Sequence, residues 1–316
     1  MSLNAKEDEG AQLAKEYRVG IYYPVFILTD SAGEPIARWE GYTGAGKFIN
    51  ALNTALADLT TVSQRESRFA AKPTYDEARL LAEYYSAARS YLKAVEYYRQ
   101  ARQLSFSPDV HINYKIFESL ANAVWADSAD FDDVLPAADA VLEYRPLDQR
   151  SIVLVGTNIT RLARDTGMTN RIGKYLNAGI AATAGSAEKK LIEANSLFKA
   201  DYALYIENDT LKALQITKAS LGDGWENNPD KFYQFAKWCL ERKIDLDEAE
   251  TFARKAAAMA SAGKFKARVL NTLAEIRFVR GDTPGAVKII DQAIDEDPDE
   301  ELYTRQWNRF MNIPDE

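Results

Sequence analysis

The stretch "LAEYYSAARSYLKAVEYYRQA", residues 81–101, decides the fold of this chain. Its apolar and small side chains recur at helical spacing, at Leu81, Ala82, Tyr85, Ala94, Tyr98 and Ala101. A second stretch, "LAEIRFVRGDTPGAVKIIDQAIDEDP" at 273–298, repeats these offsets with Leu273, Ala274, Ala286, Ile290, Ala293 and Pro298. The chain from about residue 74 is therefore predicted to consist of repeated helical units.

Three further stretches follow the same pattern. They are "YQFAKWCLERKIDLDEAETFARKA" with Ala249, Ala253 and Ala256, "LFKADYALYIENDTLKALQITKAS" with Ala200, Leu204 and Ala213, and "DFDDVLPAADAVLEYRPLD", closed by Pro146. These offsets resemble the tetratricopeptide (TPR) repeat, a pair of antiparallel helices with small residues at the helix crossing. The resemblance implies a mostly helical protein with a TPR-like right-handed α-solenoid over residues 74–305. Residues 150–185 are also predicted to be helical, without this spacing.

A solenoid of this kind has a concave surface lined by the first helix of each pair. In the predicted register, the following residues face that groove: Arg79, Glu83, Gln234, Trp238, Asn271, Glu275 and Phe278. The aromatic residues Trp238 and Phe278 are either binding anchors or packing residues between helices. The expected partner is a protein or peptide, although the basic residues with which some TPR domains clamp a peptide carboxylate are not evident.

The N-terminal part has a different pattern. "AKEYRVGIYYPVFILTDSAGEPIARWEGY", residues 14–42, reads as the end of a helix, a strand, a turn at Asp30 and Gly33, and a second strand, and another helix follows Gly44. This order resembles the C-terminal half of the thioredoxin-like fold. The resemblance implies that Pro24 follows a cis peptide bond, whereas the family's first strand and Cys-x-x-Cys helix are missing from this segment.

A possible phosphate-binding loop occurs at "GYTGAGKF", residues 41–48, which reads G-x-x-x-x-G-K. The next residue is Phe48, which has no hydroxyl to hold magnesium, and no later strand is predicted to supply an aspartate for the metal. The glycines are better explained by the end of a strand at Gly41 and a helix start after Gly44. We expect no nucleotide and no other cofactor.

The composition argues against partners that carry many negative charges. The 316 residues contain 39 Lys and Arg against 47 Asp and Glu, a net charge of -8. The chain therefore repels phosphate backbones and anionic lipids, and we expect neither nucleic acid nor a membrane as a partner. No apolar run reaches the ~20 residues of a membrane span, and the polar N-terminus does not resemble a signal peptide. The compartment is not predicted, the cytoplasm and the bacterial periplasm both being compatible with the resemblance.

Single residues offer little catalytic chemistry. Cys239 and His111 are the only cysteine and histidine, which excludes an intramolecular disulfide and a Cys/His zinc site within this chain. Cys239 is expected in the core and His111 at a helix surface. The acidic run "IDEDPDEEL" at 294–302 is interpreted as helix capping by Asp297 and Pro298 rather than as a calcium site.

Two functions remain open at this stage. The first is a non-catalytic interaction scaffold with a thioredoxin-like cap, divided into residues 1–60 (cap), 61–73 (linker), 74–305 (repeats) and 306–316 (tail). The second is part of a thiol-disulfide oxidoreductase whose Cys-x-x-Cys half precedes this chain. In both, the strand Val25 to Leu28 has an apolar edge without charge. We expect this edge to pair with another chain, including a second copy of this one, to be covered by the N-terminal segment or a solenoid helix, or to cause aggregation.

Overall fold

The structure, a computed structural model, describes residues 8–20, 24–106 and 109–313. Two compact units divide the chain into Met1–Thr183 and Ala184–Glu316. Within the described residues every element after residue 60 is helical, as the sequence predicts. The boundary between the units lies at the end of the stretch for which no repeat spacing was found.

The first unit begins with the predicted order of helix, strand, strand and helix. These are α1 (Asp8–Glu16), β1 (Val25–Thr29), β2 (Pro35–Glu40) and α2 (Ala45–Ala57). The two strands form an antiparallel hairpin in which Phe26 lies opposite Trp39 and Leu28 opposite Ala37. Asp30 closes the turn, because its Oδ1 accepts hydrogen bonds from the backbone N–H groups of Ala32 and Glu34, both at 2.9 Å.

Arg38 fastens α1 to this hairpin. Its guanidinium, on β2, donates hydrogen bonds to the backbone carbonyls of Tyr17 and Arg18, the latter at 3.1 Å, just beyond the end of α1. The Tyr17 hydroxyl donates in turn to the carbonyl of Gly33 at 2.7 Å. A buried arginine thus satisfies carbonyls that a helix end leaves without partners.

The predicted cis bond before Pro24 joins it to Tyr23, which lies outside the described residues, so that expectation stays a prediction. The cis X-Pro bond found among the described residues is Arg145–Pro146.

The predicted linker at residues 61–73 contains a helix instead, α3 (Val62–Ala71). Thr61 and Gln64 form a capping box at its start. The apolar pattern is weak because one core-facing position is Arg65, whose guanidinium is buried between the carboxylates of Asp58 (2.8 Å) and Glu77 (3.3 Å). A buried ion pair therefore takes the place of an apolar contact. For this reason the spacing of apolar residues did not predict the helix.

The rest of the first unit consists of helix pairs in which neighbours in sequence pack together. They are α4 (Tyr75–Ala87) with α5 (Tyr91–Leu104), α6 (Val110–Trp125) with α7 (Phe131–Glu143), and α8 (Gln149–Thr166) with α9 (Gly173–Thr183), a short 3-10 helix, Thr169–Arg171, preceding α9. The predicted small residues Ala82, Ala94 and Ala101 are completely buried. Their size lets the two backbones approach closely, which is what the repeat spacing predicted.

The second unit contains three such pairs and a last helix. They are α10 (Lys189–Tyr205) with α11 (Thr210–Ser220), α12 (Pro229–Arg242) with α13 (Leu246–Met259), α14 (Lys264–Val279) with α15 (Thr283–Glu296), and α16 (Glu301–Phe310), with a 3-10 helix at Trp225–Asn227. The alanines at the predicted crossings, 249, 253, 256, 274, 286 and 293, are completely buried. The helical array continues to Phe310, five residues into the predicted tail.

A buried ion pair joins α10 to α12. Arg242 donates from Nε to Oδ1 of Asp201 at 2.6 Å and from Nη2 to Oδ2 at 2.9 Å. Each side chain is only 2% exposed. The guanidinium also lies 4.7 Å from the ring centre of Trp238, so the charge is held between a carboxylate and an aromatic face.

The acidic run at 294–302 does cap a helix, but at a different residue from the one expected. Asp297 is the C-cap of α15, and the N-cap of α16 is Glu300, whose carboxylate accepts from the backbone N–H of Leu302 at 3.2 Å. Helix α15 ends at Glu296, whose carboxylate pairs with Lys266 at 2.7 Å. The expected start at Asp297 was therefore wrong by three residues.

Candidate functional site

A cleft of about 620 Å³ lies in the second unit, where the first helices α12 and α14 meet the start of α16. Two of the residues predicted to face the groove, Asn271 and Glu275, line this cleft. Its lining combines aromatic, amide and charged side chains: Tyr233, Lys237, Leu240, Glu241, Lys264, Arg268, Asn271, Thr272, Glu275, Asp297, Glu300, Leu302 and Tyr303.

Helix α14 supplies one stripe of polar residues to this cleft. Lys264, Arg268, Asn271 and Glu275 follow one another at intervals of four, three and four residues, which places them on one helix face. The rest of α14 is occupied by core residues, among them Ala267 and Ala274, both completely buried. Because the core fixes the rotation of α14, its polar stripe is held toward the cleft.

The start of α14, which carries Lys264, is pinned by Glu296 of α15. That carboxylate accepts a hydrogen bond from the backbone N–H of Gly263 at 2.6 Å and pairs with Lys266. Two hydrogen bonds lower the pKa of Glu296, the one from Lys266 more than the one from Gly263. The carboxylate therefore stays charged. Lys264 is therefore presented from a fixed helix terminus.

The charges of the cleft are unevenly paired. Lys237 lies 3.9 Å from Glu241, and Glu275 accepts a hydrogen bond from Arg309 of α16. Within the described part of the chain, Lys264 and Arg268 have no carboxylate within 4.0 Å. One end of the cleft therefore carries two cations without acidic partners.

Asn271, in the middle of the stripe, has a buried side-chain oxygen. Its Oδ1 has no hydrogen-bond partner among the described residues. A buried acceptor without a partner is unfavourable by about 1–3 kcal/mol.

The seven predicted groove residues do not form one site. Asn271 and Glu275 line the cleft. Gln234 and Trp238 lie instead beside a smaller cavity of about 250 Å³ between α10, α11 and α12. Arg79 and Glu83 belong to the first unit, where they form an ion pair at 2.6 Å along α4.

Both predicted aromatic anchors are packed against neighbouring side chains. Trp238 is only 7% exposed and is covered by Arg242. The ring of Phe278 stacks on that of Phe310, with ring centres 4.6 Å apart, and so holds α16 against α14. Of the two interpretations offered by the sequence, the structure places these side chains in helix packing.

The cations Lys264 and Arg268 were missed by the sequence analysis. A signal was present, because both continue the stripe of Asn271 and Glu275 toward the N-terminus of the helix. The repeat was recognised only from Leu273 onward in this pair, so the first turns of α14 were not included in the groove.

The glycine-rich loop has the structural role expected. Gly41 and Gly44 have φ angles of +78° and +120°, which favour glycine, and Gly44 directly precedes α2. Phe48 packs on Phe26 with ring centres 4.8 Å apart. The position where a phosphate loop needs a hydroxyl is thus part of an aromatic cluster.

The remaining chemistry-bearing residues, His111 and Cys239, do not line the cleft. His111 is exposed in the first turn of α6, after the N-cap Asp109. Cys239 is completely buried, and this burial raises the pKa of its thiol to about 12. In residues 8–20, 24–106 and 109–313, no group of three or more His, Cys, Asp or Glu could hold a metal ion, and no helix is long and apolar enough to cross a membrane.

Comparisons with known proteins agree with this architecture. No protein-family model matches the sequence, and no curated protein matches it. Among solved structures, a tetratricopeptide repeat protein from Parabacteroides merdae is similar, with a TM-score of 0.51 at 10% identity, covering 84% of this chain and 96% of that one. The fold is thus that of a TPR-like α-solenoid.

Two further structures match more loosely. YrrB, a TPR protein, has a TM-score of 0.30 at 14% identity, covering 78% of this chain and 98% of its own. The TPR2AB domain of yeast Sti1 has a TM-score of 0.29 at 15% identity, covering 75% and 97%. These values are too low to add to the assignment of the fold.

Proposed function

We propose that this protein is a non-catalytic interaction scaffold whose cleft between α12, α14 and α16 binds an extended peptide segment of another protein. The observation that carries the proposal is the stripe on α14, where Lys264 and Arg268 line the cleft without a carboxylate of the described residues within 4.0 Å. A peptide supplies the complement, since its acidic side chains or C-terminus bind cations.

The bound segment is expected to be acidic at one end. Lys264 and Arg268 lie one turn apart, so a carboxylate placed between them contacts both. At the other end Glu275 is already paired with Arg309, which leaves less negative charge for a basic partner to bind. Lys264 and Arg268 therefore favour an acidic residue at this end of the peptide, although the carboxylates of Glu241, Asp297 and Glu300 also line the cleft.

A displayed library of random peptides tests the proposal. Peptides selected on the full chain are expected to be enriched in Asp and Glu, and their binding is measured by fluorescence anisotropy. Lys264→Glu and Arg268→Glu should each weaken binding about ten-fold or more, since each replaces attraction by repulsion in a partly enclosed site.

A matched control is available on the second helix of the same pair. Lys288 of α15 is exposed and does not line the cleft, so Lys288→Glu changes the charge equally at another surface. Selected peptides that bind the Lys264→Glu and Lys288→Glu variants with the affinity of the parent would place the binding surface elsewhere. Selection of no peptide at all would argue against a peptide-binding role.

The N-terminal segment is included in the proposal as a cap on the first unit. Strand β2 packs on α3 and α4, and Arg18 donates to the Ser90 hydroxyl at 2.6 Å, so the hairpin covers the first helices of the array. Repeat arrays need such caps because their terminal helices otherwise expose an apolar face. The thioredoxin-like character of this cap stays a prediction from the residues alone.

The alternative function is a thiol-disulfide oxidoreductase whose Cys-x-x-Cys half precedes this chain. None of the described residues supports it. A reactive cysteine needs a lowered pKa and access to solvent. Cys239 has neither, because it is fully buried and burial raises its pKa.

A further inference from the structure

Strand β1 has one edge that the described residues leave unpaired. The sheet has two strands in the order β1-β2, so β1 is bonded to β2 on one side only. Strand β2 packs on α2, α3 and α4, whereas the main neighbour of β1 is β2. Each strand of this sheet has one edge without a backbone partner, and the edge of β1 is the one on which no described helix packs extensively.

The hydrogen bonds at both ends of the hairpin define which residues face this edge. The backbone N–H of Gly41 donates to the carbonyl of Pro24 at 2.8 Å, and that of Asp30 donates to the carbonyl of Glu34 at 2.9 Å. In an antiparallel pair the bonded residues alternate. Even-numbered residues of β1 are thus bonded to β2, and the backbone groups of Val25, Ile27 and Thr29 point outward.

The outward edge lacks the features that normally prevent strand pairing. The sequence of β1, "VFILT", contains no charge and no proline. All five residues are half-buried, so the strand is already partly desolvated. On the neighbouring segment the large apolar side chains Tyr42, Ile49, Leu56 and Leu59 are each about half exposed.

We propose that this edge pairs with the same edge of a second copy of the chain, antiparallel and with a two-fold axis at Ile27. In this register Ile27 faces Ile27 of the second copy, and Val25 faces Thr29, so every outward residue meets an outward residue. No like charges are opposed, because the paired segment carries none. Two hairpins then form one sheet of four strands, ordered β2-β1-β1-β2.

The symmetry also supports a second copy over an unrelated strand. A two-fold axis perpendicular to the sheet places the α2 helices of both copies on the same face. Each α2 has no buried residue of its own, so association brings two half-exposed apolar helices to one side of a larger sheet. This surface is separate from the cleft in the second unit, and the proposal does not depend on the function proposed for that cleft.

Sedimentation equilibrium of the full chain over a range of concentrations tests the proposal. The parent is expected to dimerise. Val25→Lys combined with Thr29→Lys places two lysines opposite each other twice, and should weaken the dimer about five-fold or more. Val25→Lys combined with Thr29→Glu opposes unlike charges in the same positions, and should restore association in low salt.

A third variant removes the hydrogen bonds at the axis. Ile27→Pro deletes only an outward N–H, so it should abolish dimerisation while leaving the bonds of β1 to β2 in place. Far-ultraviolet circular dichroism shows which variants remain folded. A monomeric parent at all concentrations overturns the proposal, and so does equal association of the Lys/Lys and Lys/Glu variants, which would place the contact on another surface.

Discussion

The ion pair between Asp201 and Arg242 allows a quantitative prediction for the second unit. Both side chains are only 2% exposed, and two hydrogen bonds of 2.6 and 2.9 Å join them. Asp201→Asn removes the carboxylate but leaves a guanidinium that cannot lose its proton. Breaking a buried pair in this way destabilises proteins by about 3–5 kcal/mol.

The converse variant should be milder. Arg242→Met removes the permanently charged guanidinium and leaves only the smaller carboxylate of Asp201 without its partner. Asp201→Leu combined with Arg242→Met removes both charges, and we expect it to be more stable than Asp201→Asn by several kcal/mol, since apolar replacements of buried pairs are often neutral.

Urea unfolding followed by circular dichroism measures these differences. With a slope of roughly 2 kcal/mol per M, a loss of about 4 kcal/mol lowers the midpoint of the affected transition by about 2 M. The exposed pair of Glu207 and Lys212 provides the control, and Glu207→Gln should leave the midpoint unchanged. An Asp201→Asn variant within 1 kcal/mol of the parent, or a double variant no better than either single one, would refute the reasoning.

Three further outcomes are expected. Hydrogen bonds from Thr60 are the chief cause that lowers the pKa of Asp58 to about 2. The ionised carboxylate of Asp58 should therefore contribute fully to stability above its ordinary pKa of 3.8, and this contribution should be lost as the pH falls toward 2. Acid unfolding of Asp58→Asn, compared with that of the parent, measures this contribution. Arg38→Met should destabilise the attachment of α1 by about 1–3 kcal/mol, because two carbonyls lose their donor, and hydrogen exchange should then increase in α1 but not in the second unit. Cys239 should react with a thiol reagent only when urea unfolds the chain, and rapid reaction of the native protein would contradict its burial.

The helix pairs could be predicted because small residues at fixed offsets report a close crossing directly. Ala94 and Ala286 occupy equivalent positions and are both fully buried. The hairpin could be predicted as well, because Asp30 and Gly33 are turn-forming residues: the Asp30 carboxylate accepts a backbone hydrogen bond, and Gly33 has a positive φ angle. These features depend on residues near in sequence.

What the sequence could not predict depends on contacts between distant residues. The role of Phe278 is decided by Phe310, which lies in the next helix, and a sequence pattern alone does not distinguish a packed aromatic residue from an exposed one. Similarly, Lys264 and Arg268 are distinguished from their neighbour Lys266 only once its ion pair with Glu296 is known. Periodicity predicts which residues lie on the groove-facing side of a helix. It does not predict whether each of these side chains is free to bind a partner or is already packed or paired.

Helix α3 determines where this chain can be divided for expression in pieces. Its Glu66 accepts hydrogen bonds from the hydroxyls of Tyr85 (2.8 Å) and Tyr97 (3.1 Å) and pairs with Lys93 (2.7 Å). A shortened gene that starts at residue 74 would remove this carboxylate and leave a lysine and two phenols facing an empty position. A start before Asp58 keeps α3, its capping residues and the ion pairs of Arg65, and is therefore expected to give a more stable product than a start at residue 74.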